Sequence, residues 1–230
     1  MNTKIYILSS LILVVCFMSS CTNQAYQSPS YEDKAASHKT IAVLPYELIY
    51  DGRIPAKLSA EEIEKIELNE SLMFQASLYS QILNQASKQR KSLQVDIQHF
   101  NDTNARLRKA GIYIKESWSM TSSELAAILN VDAVIKSKVH KRRFLTDVES
   151  AAVNIGRDIL NDIVRRPVVS STLGRTADVQ VSCSVVDAAD EIVIWLMASN
   201  VSTNYNQSPE QAVDQINAQI SRRFPYKKVT

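Results

Sequence analysis

The stretch TSSELAAILNVDAVIKSKVHKR, residues 121–142, changes period halfway along. Thr121 and Glu124 have the spacing of a capping box, in which each side chain accepts a free backbone N–H at a helix start. A helix is expected from there to Asn130. From Val131 to Arg142 the chain alternates instead, and side chains of a strand project to opposite faces in turn. Ala133, Ile135, Ser137 and Val139 make a face suited to burial. Lys136, Lys138, His140 and Arg142 share the other, with Lys141 and Arg143 adding charge at its end.

Upstream, Thr40-Ile-Ala-Val-Leu44 is a short apolar run closed by Pro45 and reads as a buried strand. A loop with Asp51-Gly52 and Pro55 is expected next. Ser59 and Glu62 repeat the capping-box spacing, and Leu72, Ala76, Tyr79, Leu83 and Ala86 recur at helical steps, predicting one face of a long helix that ends near Lys88–Lys91. Leu93, Val95 and Ile97 alternate with polar residues as a half-buried strand does. Asp102 to Ala110 reads as a short helix closed by Gly111.

Downstream, Val148, Ala152, Ile155, Ile159 and Ile163 predict a helical insertion over 146–164, followed by a basic Arg165-Arg166. Two strands are expected over Asp178–Val186 and Glu191–Val201. Ser208-Pro209-Glu210-Gln211 then gives a cap, a Pro in the first turn and a partner at the third position, starting a helix to about Phe224. The order predicts the α/β class, a mixed β-sheet flanked by helices, as a single domain over residues 38–230. A length of 230 residues with 45% apolar content suits one such core.

On the strand from Asp178, the polar residues Asp178, Gln180, Ser182 and Ser184 share a face. If it pairs with the strand from Val131, one side of the sheet is wet and partly basic. Such a face is either solvated with cross-strand acids, or a docking surface for an acidic protein, lipid headgroups or cell-wall carboxylates. Lys136, Lys138, His140 and Arg142 are therefore the candidate partner-binding residues.

The amino terminus carries a different message. Lys4 precedes the apolar run Ile5–Val15, which is too short to span a bilayer and has the form of a signal peptide. Met18-Ser19-Ser20-Cys21 resembles the bacterial lipobox, which implies cleavage after residue 20 and a lipidated Cys21. Cys16 would leave with the signal, so Cys183 would remain without a disulfide partner. Residues 21–37 are polar, include Pro29 and have no apolar period. They read as a disordered tether of about 20–25 Å average span. Thr22 lacks the acidic character of an inner-membrane retention signal, so the resemblance implies the outer membrane, with the domain on its periplasmic side.

Chemistry is sparse. His38, His99 and His140 have no metal-ligand spacing to Cys or acid, so no metal site is expected. Cys183 falls on an apolar face with Val179, Val181 and Val185, as a core thiol would. Gly52, Gly111, Gly156 and Gly174 are too dispersed for a phosphate loop. Twenty-six basic against 24 acidic residues, a net +2, argue against nucleic acid. No cofactor and no enzymatic activity are expected.

Three segments carry a family resemblance. Lys39-Thr-Ile-Ala-Val-Leu-Pro45 resembles the first strand of the TolB amino-terminal-like fold, which has an anticodon-binding-like topology. ELAAILNVDAVI, residues 124–135, resembles its helix–strand unit, and Val186-Asp187 with Glu191-Ile-Val-Ile-Trp195 its strand hairpin. Bacterial lipoproteins of this kind include the curli-secretion pore family (CsgG) and the activators of cell-wall synthases (LpoB). Val95–Asn104 with Gly111-Ile112 also resembles lipoproteins of the Bacteroidetes. The resemblance implies a non-enzymatic, membrane-anchored module that binds an envelope protein in assembly or secretion. It implies, as the alternative, an oligomeric secretion-channel component. The pore family inserts strand hairpins, whereas residues 146–164 here have a helical period, so a barrel is not expected.

Overall fold

Pro45 sets the geometry of the sheet. The computed structural model describes residues 25–52, 59–88, 92–143, 175–204 and 209–227. Before Pro45, β2 (Thr40–Val43) runs parallel to the start of β5 (Ala133–Arg143), with Ile41 opposite Ala133 and Val43 opposite Ile135. Pro45 has no N–H to give to a ladder and interrupts the strand. The chain then rejoins the same edge of β5 as β3 (Glu47–Gly52), pairing Glu47 with Lys138 and Asp51 with Arg142. The expected loop at this point is thus a strand over its first half.

Among the described residues the sheet has seven strands, and with β1 (Tyr26–Gln27), β4 (Asp96–Gln98), β6 (Arg175–Asp187) and β7 (Val193–Asn204) the order is β1-β7-β6-β5-β2-β4, with β3 alongside β5. β4 lies parallel to β2, while β5, β6 and β7 form an antiparallel meander. The molecule is a single α/β domain with a mixed sheet flanked by helices, as the element order predicts.

Residues 25–37 correct the expected tether. Tyr26–Gln27 form β1, antiparallel to β7, with Tyr26 opposite Leu196 and Gln27 opposite Trp195. Tyr31–Ser37 form α1, which buries Tyr31 and Ala35 in the main core. Burying a side chain of this size contributes about 2–3 kcal/mol, enough to hold a short segment that has no period of its own.

The long helix α2 (Ala60–Lys88) starts at the expected box: Ser59 N–H donates to Glu62 at 2.8 Å and Glu62 N–H donates to Ser59 Oγ at 3.2 Å. Its inward face is rotated from the predicted stripe. Ser71, Phe74, Gln75, Leu78, Ile82 and Ala86 are buried, whereas Leu83 is exposed. The break at Pro45 explains the rotation. Ser71 Oγ donates to the Tyr46 carbonyl at 2.7 Å and Gln75 Nε2 to the Val43 carbonyl at 2.7 Å, satisfying acceptors beside the break. Two polar residues therefore turn inward, because unpaired buried carbonyls are costly.

The remaining helices among the described residues are α3 (Phe100–Lys109), α4 (Ile114–Ser119), α5 (Ser122–Leu129) and α6 (Pro209–Arg222). α3 is closed by Gly111 at φ +77°, and α5 by Asn130 in the left-handed region. α2 and α6 pack on one side of the sheet over the main core, which contains Val139, Val181, Trp195 and Ile216. α3 and α5 cover a smaller core on the other side, around Leu107, Leu125, Val134 and Val186. The predicted helical insertion, 146–164, and Cys21 lie outside the described residues.

Candidate functional site

The smaller helical layer leaves part of one sheet face open. β5 and β6 pair in the register that aligns their polar residues: Lys136 with Ser184, Lys138 with Ser182, His140 with Gln180 and Arg142 with Asp178. The wet and partly basic face expected from the sequence is present. Ala133, Ile135, Ser137 and Val139 are buried on the reverse side.

The charges on this face are less free than the sequence suggests. β3 adds Glu47 and Asp51 to the same face. Lys138 Nζ lies 3.0 Å from Glu47, and His140 Nε2 2.5 Å from Asp51. Lys136 donates to the Met120 carbonyl at 2.7 Å, and burial lowers its pKa from the ordinary lysine value against the pull of Glu191, Glu47 and Glu124. The three basic side chains are thus each tied to a neighbour, around uncharged Gln180, Ser182 and Ser184. β7 extends it with Leu196, Ala198 and Asn200.

Two adjoining depressions mark it. A cleft of about 230 Å³ lies between α4 and the strands, lined by Pro45, Glu47, Trp118, Lys136, Lys138 and Ser184. A shallower groove of about 410 Å³ continues over His140, Gln180, Ser182, Ala198 and Asn200. Lys138 and Ser182 border both. Among the described residues, no group of three His, Cys, Asp or Glu side chains is placed to hold a metal ion.

Lys141 does not join this face. It points into the main core, where its Nζ lies 2.7 Å from Glu70 and 3.9 Å from Glu210, and 4.9 Å from the centre of the Phe74 ring. The Tyr50 hydroxyl also donates to Glu70. Lys141 has the same parity as Val139 and Ile135, so alternation alone places it inward; its charge obscured that.

Cys183 is buried, as expected for a core thiol. Burial pushes its pKa up to about 12. His99 caps α3, its Nδ1 accepting from Asn101 N–H at 3.2 Å.

His38 occupies an arrangement with no local sequence signal. Its Nε2 lies 2.9 Å from Asp187 and its Nδ1 2.5 Å from the Tyr226 hydroxyl, all three residues being buried. Asp187 also accepts N–H groups from Ala189 and Asp190. Burial raises the Asp187 carboxyl, but His38 and these amides outweigh it and hold the group below its ordinary range. Burial likewise raises the Tyr226 phenol, so its hydroxyl stays protonated where it meets Nδ1. The set ties the amino-terminal segment, the end of β6 and the carboxyl-terminal segment together.

No protein-family model matches the chain, and no curated protein matches it. Solved structures are similar in chain path. The PelC dodecamer from Paraburkholderia phytofirmans is 12% identical, covering 86% of this chain and 93% of that one, with a TM-score of 0.41. Lipoprotein GNA1162 from Neisseria meningitidis is 10% identical, covering 80% and 94%, with a TM-score of 0.44. The LpoB C-terminal domain from Salmonella enterica is 10% identical, covering 72% and 83%, with a TM-score of 0.35.

Proposed function

We propose that the chain is a lipid-anchored envelope protein of the outer membrane, held through Cys21, whose open sheet face binds a protein partner in assembly or secretion. The observation that carries this reading is the open face itself. It is an uncharged centre of Gln180, Ser182 and Ser184 framed by the Lys138–Glu47 ion pair and the His140–Asp51 hydrogen bond, on a sheet backed by a packed core. A preordered surface loses little entropy on docking, and its paired charges set orientation. The lipobox-like Met18–Cys21 supports the anchor, and Lys136, Lys138, His140 and Arg142 frame the contact.

The test is a photoreactive side chain at Gln180 in the native envelope, with the same group at exposed Lys109 on α3 as control. One discrete crosslinked protein at position 180, absent at 109 and lost on Ser182→Arg, supports the reading. Equal crosslinking at both positions overturns it.

One observation favours the second reading, an oligomeric channel component. β1 covers only two residues of the twelve in β7, which lies at that side of the sheet. A strand edge covered so briefly is a ready template for pairing with another copy. Light scattering of the detergent-extracted protein separates the readings: a ring-sized mass favours the channel component, and a monomer or dimer favours the binding module.

A further inference from the structure

The place where the chain joins the sheet limits where a membrane can lie. Ala25 already packs on the core, and Tyr26 is paired to β7. Four peptide units separate Ala25 from Cys21, a reach of at most about 14 Å when fully extended. A domain of about 200 residues has a radius of gyration of about 16 Å. The link is shorter than the half-width of the body it holds. A bilayer that takes up acyl chains on Cys21 therefore meets the surface around β1 and no distant one.

That surface carries an apolar strip. Tyr26 is 52% exposed, Ile192 43%, Leu196 38% and Val193 37%. Tyr26 and Leu196 are cross-strand neighbours. A register shift between Val185 and Val186 turns Val193 onto their face, and Ile192 precedes it in the turn. The two acids of that turn are engaged: Lys34 Nζ lies 2.5 Å from Asp190, and Glu191 accepts the Ser123 N–H at 3.3 Å. The other large apolar side chains that are exposed among the described residues, Ile66, Met73, Leu83 and Tyr113, lie on α2 or just before α4.

We infer that Tyr26, Ile192, Val193 and Leu196 seat in the boundary between headgroups and acyl chains of the leaflet that holds Cys21. This rests on the lipid-anchor reading. The acyl chains supply the affinity, and the strip supplies the orientation, since a tethered surface needs few further contacts to hold one pose. A tyrosine suits that boundary, its ring meeting the acyl region and its hydroxyl the water. Lys136 lies two strands from Leu196 in the same row, through Ser184, about 10 Å across the sheet, so the basic part of the open face starts just above the headgroups.

The experiment uses the full-length protein purified from membranes and returned to phosphatidylethanolamine/phosphatidylglycerol vesicles. A nitroxide is attached at Leu196→Cys or, on exposed α2, at Asn84→Cys. Collision rates with oxygen, which concentrates in lipid, and with a water-soluble nickel chelate are compared. The expected result is an oxygen-to-nickel ratio several-fold higher at 196 than at 84. Equal ratios overturn the inference. Shielding of 196 from both reagents, with a doubled mass in detergent, also overturns it and assigns the strip to a second copy. Mass spectrometry of the same sample separates the two readings. An unmodified Cys21 removes the anchor and this inference together, whereas an acylated Cys21 with a water-exposed label removes this inference alone.

Discussion

His38 Nε2 lies 2.9 Å from the Asp187 carboxylate, joining residues 149 positions apart in a buried pair. Asp187 is an acceptor for this ring, for two amides and, at 3.6 Å, for Lys34. Replacing it by Ala leaves buried donors without an acceptor, which costs about 3 kcal/mol. Tyr226→Phe removes one hydrogen bond from the same set and is expected to cost about 1 kcal/mol. Urea unfolding of both variants checks the ranking. Equal costs would mean that the carboxylate does not dominate the cluster.

The same carboxylate gives a pH dependence with a definite sign. The Asp187 pKa is depressed in the folded protein. So is that of Asp132, where burial acts upward but the N–H groups of Thr40 and Lys39, at 2.9 and 2.7 Å, prevail. A carboxyl with a lowered folded pKa binds its proton more tightly when unfolded. Its stabilising contribution is complete above the unfolded value of 3.8 and is lost as pH falls through the folded one. The urea midpoint should hold from pH 7 to 5 and fall steeply below about pH 4. In Asp132→Asn it should start lower at pH 6 and fall less. An unchanged acid slope in that variant would remove Asp132 from the account.

Lys141 and Glu70 test a buried ion pair. Glu70→Ala leaves the Lys141 ammonium in the core beside Phe74 with Glu210 at 3.9 Å, and should destabilise by about 3 kcal/mol. Lys141→Met combined with Glu70→Leu should recover most of that loss, because apolar packing often replaces a buried pair at little cost. A double-mutant cycle reads the coupling. Additive losses would show that the two groups do not depend on each other.

Features set by neighbouring residues were legible in the sequence. The boxes at Ser59 and Thr121 start helices where expected, and alternation from Ala133 assigns both faces of β5. Features set by distant partners were not. Nothing near His38 points to Asp187 or Tyr226. β3 hides behind Pro45, since its pairing depends on β5 almost ninety residues later. The inward face of α2 is decided by carbonyls at Val43 and Tyr46, which an apolar count cannot register. For the candidate face, residue parity gave the four basic positions. The acids that meet two of them, Glu47 and Asp51, sit on β3, which carries no strand signal of its own.

Cys183 offers a probe of core integrity. Its thiol is buried and raised to about 12, so almost no thiolate exists at pH 8 and access is closed. An aromatic disulfide reagent should leave it unmodified for hours in the native protein and react within minutes in 6 M urea. Fast native modification would show that the β5–β6–β7 meander opens locally well below global unfolding.

Residues 25–37 decide between a tether and an integral edge. Ser28 N–H donates to the Ile194 carbonyl at 2.9 Å, and the Tyr31 ring lies tilted against that of Tyr226, the ring centres 6.1 Å apart. These contacts lie in the main core, so the segment should exchange its amides with the domain and not ahead of it. Hydrogen exchange of the full-length protein should show the Ser28 amide protected for as long as those of β7. Tyr31→Ala should cost about 3 kcal/mol through lost burial, and should release α1 before the rest of the sheet. Trypsin would then cut after Lys34 in the variant while sparing it in the parent, where Lys34 is held by Asp187 and Asp190. Rapid cleavage at Lys34 in both proteins would restore a free tether and lengthen the reach from Cys21 to the domain beyond the half-width of the fold.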